Sequence, residues 1–306
     1  MTRHIASRLL QAVVTIFGVL TLVFFLMRLS GDPTLLLVPQ GASARQIAEL
    51  RHQLGFDRPL IVQYIAYLHQ LLRGDLGQSL VQRMPVAGIL ASRLPYTLEL
   101  AAGALVVAIG IGIPAGIAMA VRRGSLLERA LAALVLAGQS MPTFWSGILM
   151  ILLFGVILGW LPTSGVAGFG SLIMPSVALG ALSMASFARM TRIAVLDELS
   201  RDYVAAARAR GLSLGATIAR HVVRNAAIPV VTVAALEIGN LLAGAVIVET
   251  VFAWPGIGQL AIQAIEARDF LVVQAIVLFV SLVFILMNLL ADLIYAVIDP
   301  RIRLGH

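Results

Sequence analysis

The 306-residue sequence contains no cysteine, and all 22 of its basic residues are arginine. Without cysteine, disulfides and thiolate metal sites are excluded. Without lysine, so is the phosphate-cradling loop G-x-x-x-x-G-K-[ST], whose ammonium reaches the nucleotide phosphates. Any ATP that drives this protein is therefore bound on another chain. Charge is scarce as well: 12% of residues are charged, against roughly 25% in a soluble domain. That excludes an ordinary soluble enzyme. H-E-x-x-H and G-x-S-G are absent, and the five histidines at 4, 52, 69, 221 and 306 are scattered. No protease constellation is present, and no metal-ligating cluster is expected.

What the sequence has instead is long uncharged runs. They cover Leu9 to Met27, Leu100 to Val121, Ala130 to Ala188, Ala226 to Leu236, Ile238 to Val248 and Phe270 to Ala291. A bilayer span takes about 20 apolar residues. The 59-residue run from Ala130 to Ala188 is far too long for one span at about 1.5 Å per residue. It divides where Gly159 to Gly165 and Gly168-Phe169-Gly170 gather the turn formers. The two runs after Asn225 are separated only by Glu237 and read as one span with an embedded carboxylate. The expected fold is an all-α polytopic membrane protein with six transmembrane helices.

Six spans put both termini on one side, together with Arg122 to Arg129 and the segment 189–224. That side carries 14 arginines and 5 acidic residues, the other side 8 and 8. Long translocated stretches are largely exempt from the positive-inside rule, so the 65 residues after the first span count for little. Both termini are therefore expected to be cytoplasmic. A sequence pI near 10.9 is compatible with nucleic-acid binding, but arginines beside span ends are what membrane orientation produces, and no nucleic-acid partner is expected. The chain divides into a cytoplasmic N-terminus (1–8), a first span (9–29), an outer helical insertion (30–95) and a five-span core (96–306). Arg3 and Arg8 precede an apolar stretch longer than a signal h-region, and no small-x-small cleavage site follows, which favours an uncleaved anchor.

The outer segment is too long to be structureless. Asp57 is expected to cap a helix with Pro59 in its first turn, along which Ile61, Tyr64, Ile65, Leu68, Leu71 and Leu72 recur until Gly74. Such an amphipathic helix either covers the spans or offers a docking surface. In the second span, Gly112 and Gly116 form a G-x-x-x-G preceded by Gly110, which lets helices approach closely, and Pro114 loosens a turn.

The stretch Ser200 to Asn225 is the most informative. Arg201 to Arg210 reads as a helix with Tyr203, Ala206, Ala207 and Arg210 along one side; Gly211 stops it, and Ala216 to Asn225 begins another. Two short helices joined by residues 211–215 make an elbow outside the membrane. Its small-residue face and its arginines suit a groove on another protein.

These residues resemble a known family, the inner-membrane permease subunits of binding-protein-dependent ABC importers, in the dipeptide, oligopeptide and nickel branch. Asp202-Tyr-Val-Ala-Ala-Ala-Arg-Ala-Arg-Gly211, followed by Arg220-His-Val-Val-Arg-Asn-Ala-Ala-Ile-Pro229, looks like that branch's version of the EAA loop. It departs from the general pattern at Ala205, where an acid is usual, and at His221 to Arg224, with Pro229 five residues on. Those departures are themselves like the peptide branch. Further similar motifs are Gly31-Asp-Pro33, Leu54 to Pro59, Arg73 to Gly77, Arg93 to Glu99, Gly159 to Pro162, Trp254 to Gly258 and Asp292 to Arg301.

The resemblance implies a type I importer permease fold in a bacterial inner membrane, with an extracytoplasmic insertion and a cytoplasmic coupling segment over 197–225. It implies a second homologous permease subunit, two ATPase subunits or a heterodimer of them, and an extracytoplasmic solute-binding protein. No cofactor is expected in this chain, with ATP and Mg on the ATPases. The elbow would be the coupling helix, with Tyr203, Ala206, Ala207 and Gly211 in the ATPase groove and Arg208 and Arg210 pairing with its rim. Short peptides are the implied substrates, with glutathione or nickel chelates as alternatives through the same machinery.

A carboxylate in hydrocarbon faces a cavity or finds a partner, so Glu237 is the candidate pathway residue, for a peptide's ammonium or for a polar group of the sister permease. Glu249, Asn288 and Asp292 read as structural. A secondary transporter is the rival class, but such folds often repeat internally around buried ion ligands. The sequence shows no clear repeat and one mid-span carboxylate.

Overall fold

The computed structural model describes residues 2–29, 31, 34, 38 and 42–298, with the side chains of 2–9, 12, 235, 236, 238, 243 and 288–298 outside the description. The readings placed on Arg3, Arg8, Asp32, Pro33, Asn288, Asp292 and the segment after 298 lie outside it. Among the described residues the chain is helical, without a strand, apart from an isolated bridge between Gln78 and Pro85.

The helices are α1 (Thr2–Leu29), α2 (Ala44–Gln53), α3 (Leu60–Leu72), α4 (Val86–Val121), α5 (Leu126–Ser140), α6 (Thr143–Met150), α7 (Gly170–Leu199), α8 (Asp202–Ala209), α9 (Leu214–Thr217), α10 (Val223–Val251), α11 (Ile257–Glu266) and α12 (Phe270–Ile298). Two π-helical stretches, Ile151–Ile157 and Ile218–Val222, continue α6 and α9. By length and composition, Val86–Val121, Gly170–Leu199, Leu214–Leu242 and Phe270–Met287 can each cross a membrane, and the pair Leu126–Ser140 and Thr143–Ile157 makes a fifth span if counted together. The apolar part of α1, Val13–Leu29, lies within the first expected span but is shorter than these and is not counted with them among the described residues. The link between the third and fourth spans falls at 158–169, where the glycines and Pro162 predict it.

The third span differs from expectation. It bends by 103° between Ser140 and Thr143. Pro142 is the N-cap of α6 with an extended backbone, and a proline there cannot continue the hydrogen-bond ladder of α5. An uncharged run conceals such a break because hydropathy carries no information about backbone direction.

The described residues form two compact units, those within 1–95 and 256–283, and those within 96–255 and from 284 on. In the first, α3 lies against α1 through Tyr64, whose hydroxyl shares a 2.5 Å hydrogen bond with Thr21 Oγ1. Tyr64 also packs on Phe24 and Phe25. The other side of α3, with Leu60, Ile61 and Ile65, is exposed. Asp57 is not the cap of α3 as expected: Pro59 occupies that position without a side-chain cap, and the Asp57 carboxylate takes a 2.6 Å hydrogen bond from His52 Nδ1. That bond holds the Asp57 carboxyl below its usual range. Helix α2 starts with a capping box between Ser43 and Gln46. Near the last span, the buried carboxylate of Asp269 accepts from Ser79 Oγ and from the backbone N–H of Leu80 and Val81 at 3.3 and 3.4 Å. It thereby fixes a turn in which Arg83 takes a positive φ of 54°.

In the second unit, α4 and α7 meet along a seam of small residues. A Cβ on Gly112 would stand 2.7 Å from Met184 O, one on Gly116 2.5 Å from Ala188 O, and one on Gly180 2.6 Å from Ala104 O. Only glycine permits this approach, which is the packing role expected of Gly112 and Gly116. Gly110 faces open space. Helix α7 also packs along α10. Trp254, fully buried, donates from Nε1 to Tyr96 O at 2.8 Å, and Glu249, also fully buried, accepts from Thr97 Oγ1 at 2.7 Å. Glu249 is thus part of the packing.

Candidate functional site

The elbow is built locally. Helix α7 ends at Leu199, Arg201 turns extended, and α8 runs over Asp202–Ala209, one residue shorter at each end than the expected helix. Arg210 closes it, and Gly211 follows at φ +88°, a left-handed conformation that glycine adopts without penalty. Ser213 then caps the next helix, its Oγ accepting from Ala216 N at 3.3 Å.

Here the structure corrects the reading of a second short helix over Ala216 to Asn225. The backbone runs from Leu214 through the π-helical stretch Ile218–Val222 directly into α10. The elbow is therefore one short helix, a glycine turn, and the N-terminal start of the fifth span. The polar residues Arg220, His221, Arg224 and Asn225 are exposed and interrupt the apolar pattern, which a helix can tolerate without ending.

The structure divides the expected site residues. Ala206, Arg208, Arg210 and Gly211 are exposed and Ala207 is half-buried. Tyr203 is half-buried, like Ala207, with part of its ring turned towards its own chain. It lies against a cluster formed by Ala194, Val195, Val204, Ile218, Val222 and Ala226. Its hydroxyl donates to Glu198 Oε2 at 2.6 Å. Burial, and then that hydrogen bond, raise the Tyr203 phenol above its ordinary range, so it stays protonated and donating at physiological pH. Val204 sinks into the same cluster, and the two side chains anchor α8 to its own chain. The surface left for a partner is Ala205, Ala206 and Ala209 with Arg208 and Arg210 around them.

Two residues that the sequence does not single out complete this arrangement. Glu198, in the last turn of α7, accepts from Tyr203 and, at 3.3 Å, from Asn225 Nδ2. Glu128 accepts from Arg192 Nε and Nη2 at 2.9 and 2.5 Å and from the Gly124 N–H at 2.5 Å. These contacts tie the loop between α4 and α5 to α7. Arg192 is thus committed within the chain, while Arg208, Arg210, Arg220 and Arg224 are exposed.

Glu237 lies in α10 at 8% exposure, and its Oε2 accepts from Ser183 Oγ of α7 at 2.6 Å. The embedded carboxylate has a partner within its own chain, in addition to the two roles the sequence leaves open. Among the described residues no three His, Cys, Asp or Glu side chains gather as a metal site.

This arrangement of spans and a short-helix elbow has known counterparts. Residues 112–304 match the family model "Binding-protein-dependent transport system inner membrane component", and residues 1–101 match the N-terminal membrane component of the same systems. The chain is 44% identical over 304 residues to the glutathione transport system permease protein GsiC of Escherichia coli K12, covering 99% of each. It is 43% identical over 333 residues to the di/tripeptide transport system permease protein DppB of Pseudomonas aeruginosa UCBPP-PA14, again covering 99% of each. Among solved structures, an inward-facing form of the MetNI methionine ABC transporter aligns with a TM-score of 0.59 at 21% identity, over 70% of this chain and 97% of that one. At that identity the likeness shows the fold.

Proposed function

The chain belongs to the family of binding-protein-dependent transport system inner membrane components, and from that premise we propose that it forms half of the pathway by which an ATP-driven importer takes up short peptides. The single observation that carries the substrate class is the end-to-end likeness to permeases whose named cargoes are glutathione and di- or tripeptides. Glutathione is itself a tripeptide, so one chemistry covers both names: an ammonium, a carboxylate and amide groups within a few ångströms. Glutathione stands as the second reading on the same observation, and a nickel chelate as the third through the same machinery.

A second homologous permease completes the pathway, and a solute-binding protein delivers the peptide from outside. Two ATPase subunits bind ATP and Mg, since the lysine of a nucleotide loop is missing here. The arginine distribution supports cytoplasmic N- and C-termini in the inner membrane. The exposed face of α8, with Ala206, Arg208, Arg210 and the turn at Gly211, docks in the ATPase groove, while Tyr203 braces the helix from behind. Glu237 is the candidate polar group on the pathway. Uptake of labelled dipeptide, glutathione and chelated nickel, compared in a deletion strain and its complemented counterpart, tests the substrate class. Loss and recovery of dipeptide uptake is expected; loss of nickel uptake alone would replace the substrate.

A further inference from the structure

We propose that Glu198 is a positioning residue that makes the elbow move as one body with both spans it connects. The inference rests on the reading of α8 as the ATPase-docking helix and adds what joins that helix to the membrane. Three segments converge on this one carboxylate. It sits in the last turn of α7, where the helix dipole disfavours a negative charge. Its place there is explained by the donors it gathers. Tyr203 OH, from α8, reaches Oε2 at 2.6 Å, and Asn225 Nδ2, at the start of α10, reaches the same oxygen at 3.3 Å. Arg201 Nε stands 4.0 Å from Oε1. Arg201 is exposed and adds little, whereas the Glu198 side chain is 20% exposed and its bond from Tyr203 is partly screened from water. Charge-assisted bonds of this kind are among the stronger ones in a protein.

Below the carboxylate the same three segments share an apolar floor. Val195 from α7, Val204 from α8, and Val222 and Ala226 from the start of the fifth span are buried together. The floor resists separation but allows sliding, because apolar contact is non-directional. The hydrogen bonds supply the direction. A push on α8 is thereby delivered to the ends of the fourth and fifth spans together, and without Glu198 the elbow would yield before they do.

The test uses the complete complex, with partner permease, ATPases and binding protein, in proteoliposomes, and reads peptide taken up per ATP hydrolysed. Loss of folded complex lowers both quantities and leaves their ratio unchanged; loss of transmission lowers the ratio. Glu198→Ala is expected to lower it about tenfold, the scale of one charged hydrogen bond. Tyr203→Phe is expected to lower it several-fold, and the double variant to be no worse than Glu198→Ala alone. Glu198→Gln, which keeps an acceptor in place, is expected to restore most of the ratio. If Glu198→Ala fails to assemble, Tyr203→Phe decides, since it removes a single hydroxyl. An unchanged ratio in these variants, while Ala206→Glu abolishes stimulated hydrolysis, would overturn the role of Glu198 and leave the docking reading standing. Normal stimulation in Ala206→Glu would remove the docking reading, and this inference with it.

Discussion

The Ser183 hydroxyl donates to Glu237 Oε2 at 2.6 Å, so the embedded carboxylate of the fifth span is held by the fourth. Removing the donor leaves a buried acceptor short of a partner, which costs about 1–3 kcal/mol. Ser183→Ala is therefore expected to lower the melting temperature of the purified complex. Glu237→Gln keeps the acceptor for Ser183 but loses the charge. It is expected to reduce peptide uptake more than assembly; equal loss of both would assign Glu237 to packing alone.

The glycine seam makes a paired prediction. Gly112→Ala and Gly116→Ala put a Cβ against the backbone of α7 at 2.7 and 2.5 Å, and overpacking of that kind costs about 1–3 kcal/mol. Gly110→Ala meets nothing within 4 Å and replaces a poor helix former, so it is expected to be neutral or stabilising by up to about 1 kcal/mol. Thermal unfolding in detergent separates the three. Equal effects at 110 and 112 would contradict the packing.

Gly211 carries a different constraint. No atom stands within 4 Å of an added Cβ, but φ is +88°. Gly211→Val is strained by the backbone alone, by roughly 1–2 kcal/mol, and would redirect α8. Stimulated ATP hydrolysis is expected to fall while membrane insertion is unchanged. Parallel loss of both would show that the turn serves folding and not coupling.

Asp269 holds the turn at 79–83 through three donors. Asp269→Ala is expected to release it at a cost of about 3 kcal/mol, one per hydrogen bond. Tryptic cleavage at Arg83 should then appear in the intact complex, with Asp269→Asn intermediate. Unchanged protection would mean that the apolar contacts of the first unit suffice.

Much of this molecule is legible in its residues, for identifiable reasons. Spans are long and uncharged because lipid requires it, and the link at 158–169 is marked by glycines that no span needs. The break at Met141–Pro142 is hidden inside an apolar run, although Pro142 itself was the available signal. Periodicity places Tyr203 with Ala206 and Ala207, yet it cannot say which side of α8 meets its own chain. That is decided by Val204, roughly 100° around the helix, and by Glu198. The Ser183 to Glu237 bond spans 54 positions, and no local pattern announces it. The Ser43 capping box, by contrast, is written locally as Ser-x-x-Gln and could have been read.

The central claim is that this chain carries peptide across the membrane at the expense of ATP hydrolysed by its partners. The most direct measurement is accumulation of a labelled dipeptide in proteoliposomes holding the complete complex and its binding protein, with ATP or a non-hydrolysable analogue on the ATPase side. The account expects accumulation with ATP, none with the analogue, and none without the binding protein. Accumulation driven by an ion gradient in the absence of ATP would contradict it and make the chain a secondary transporter.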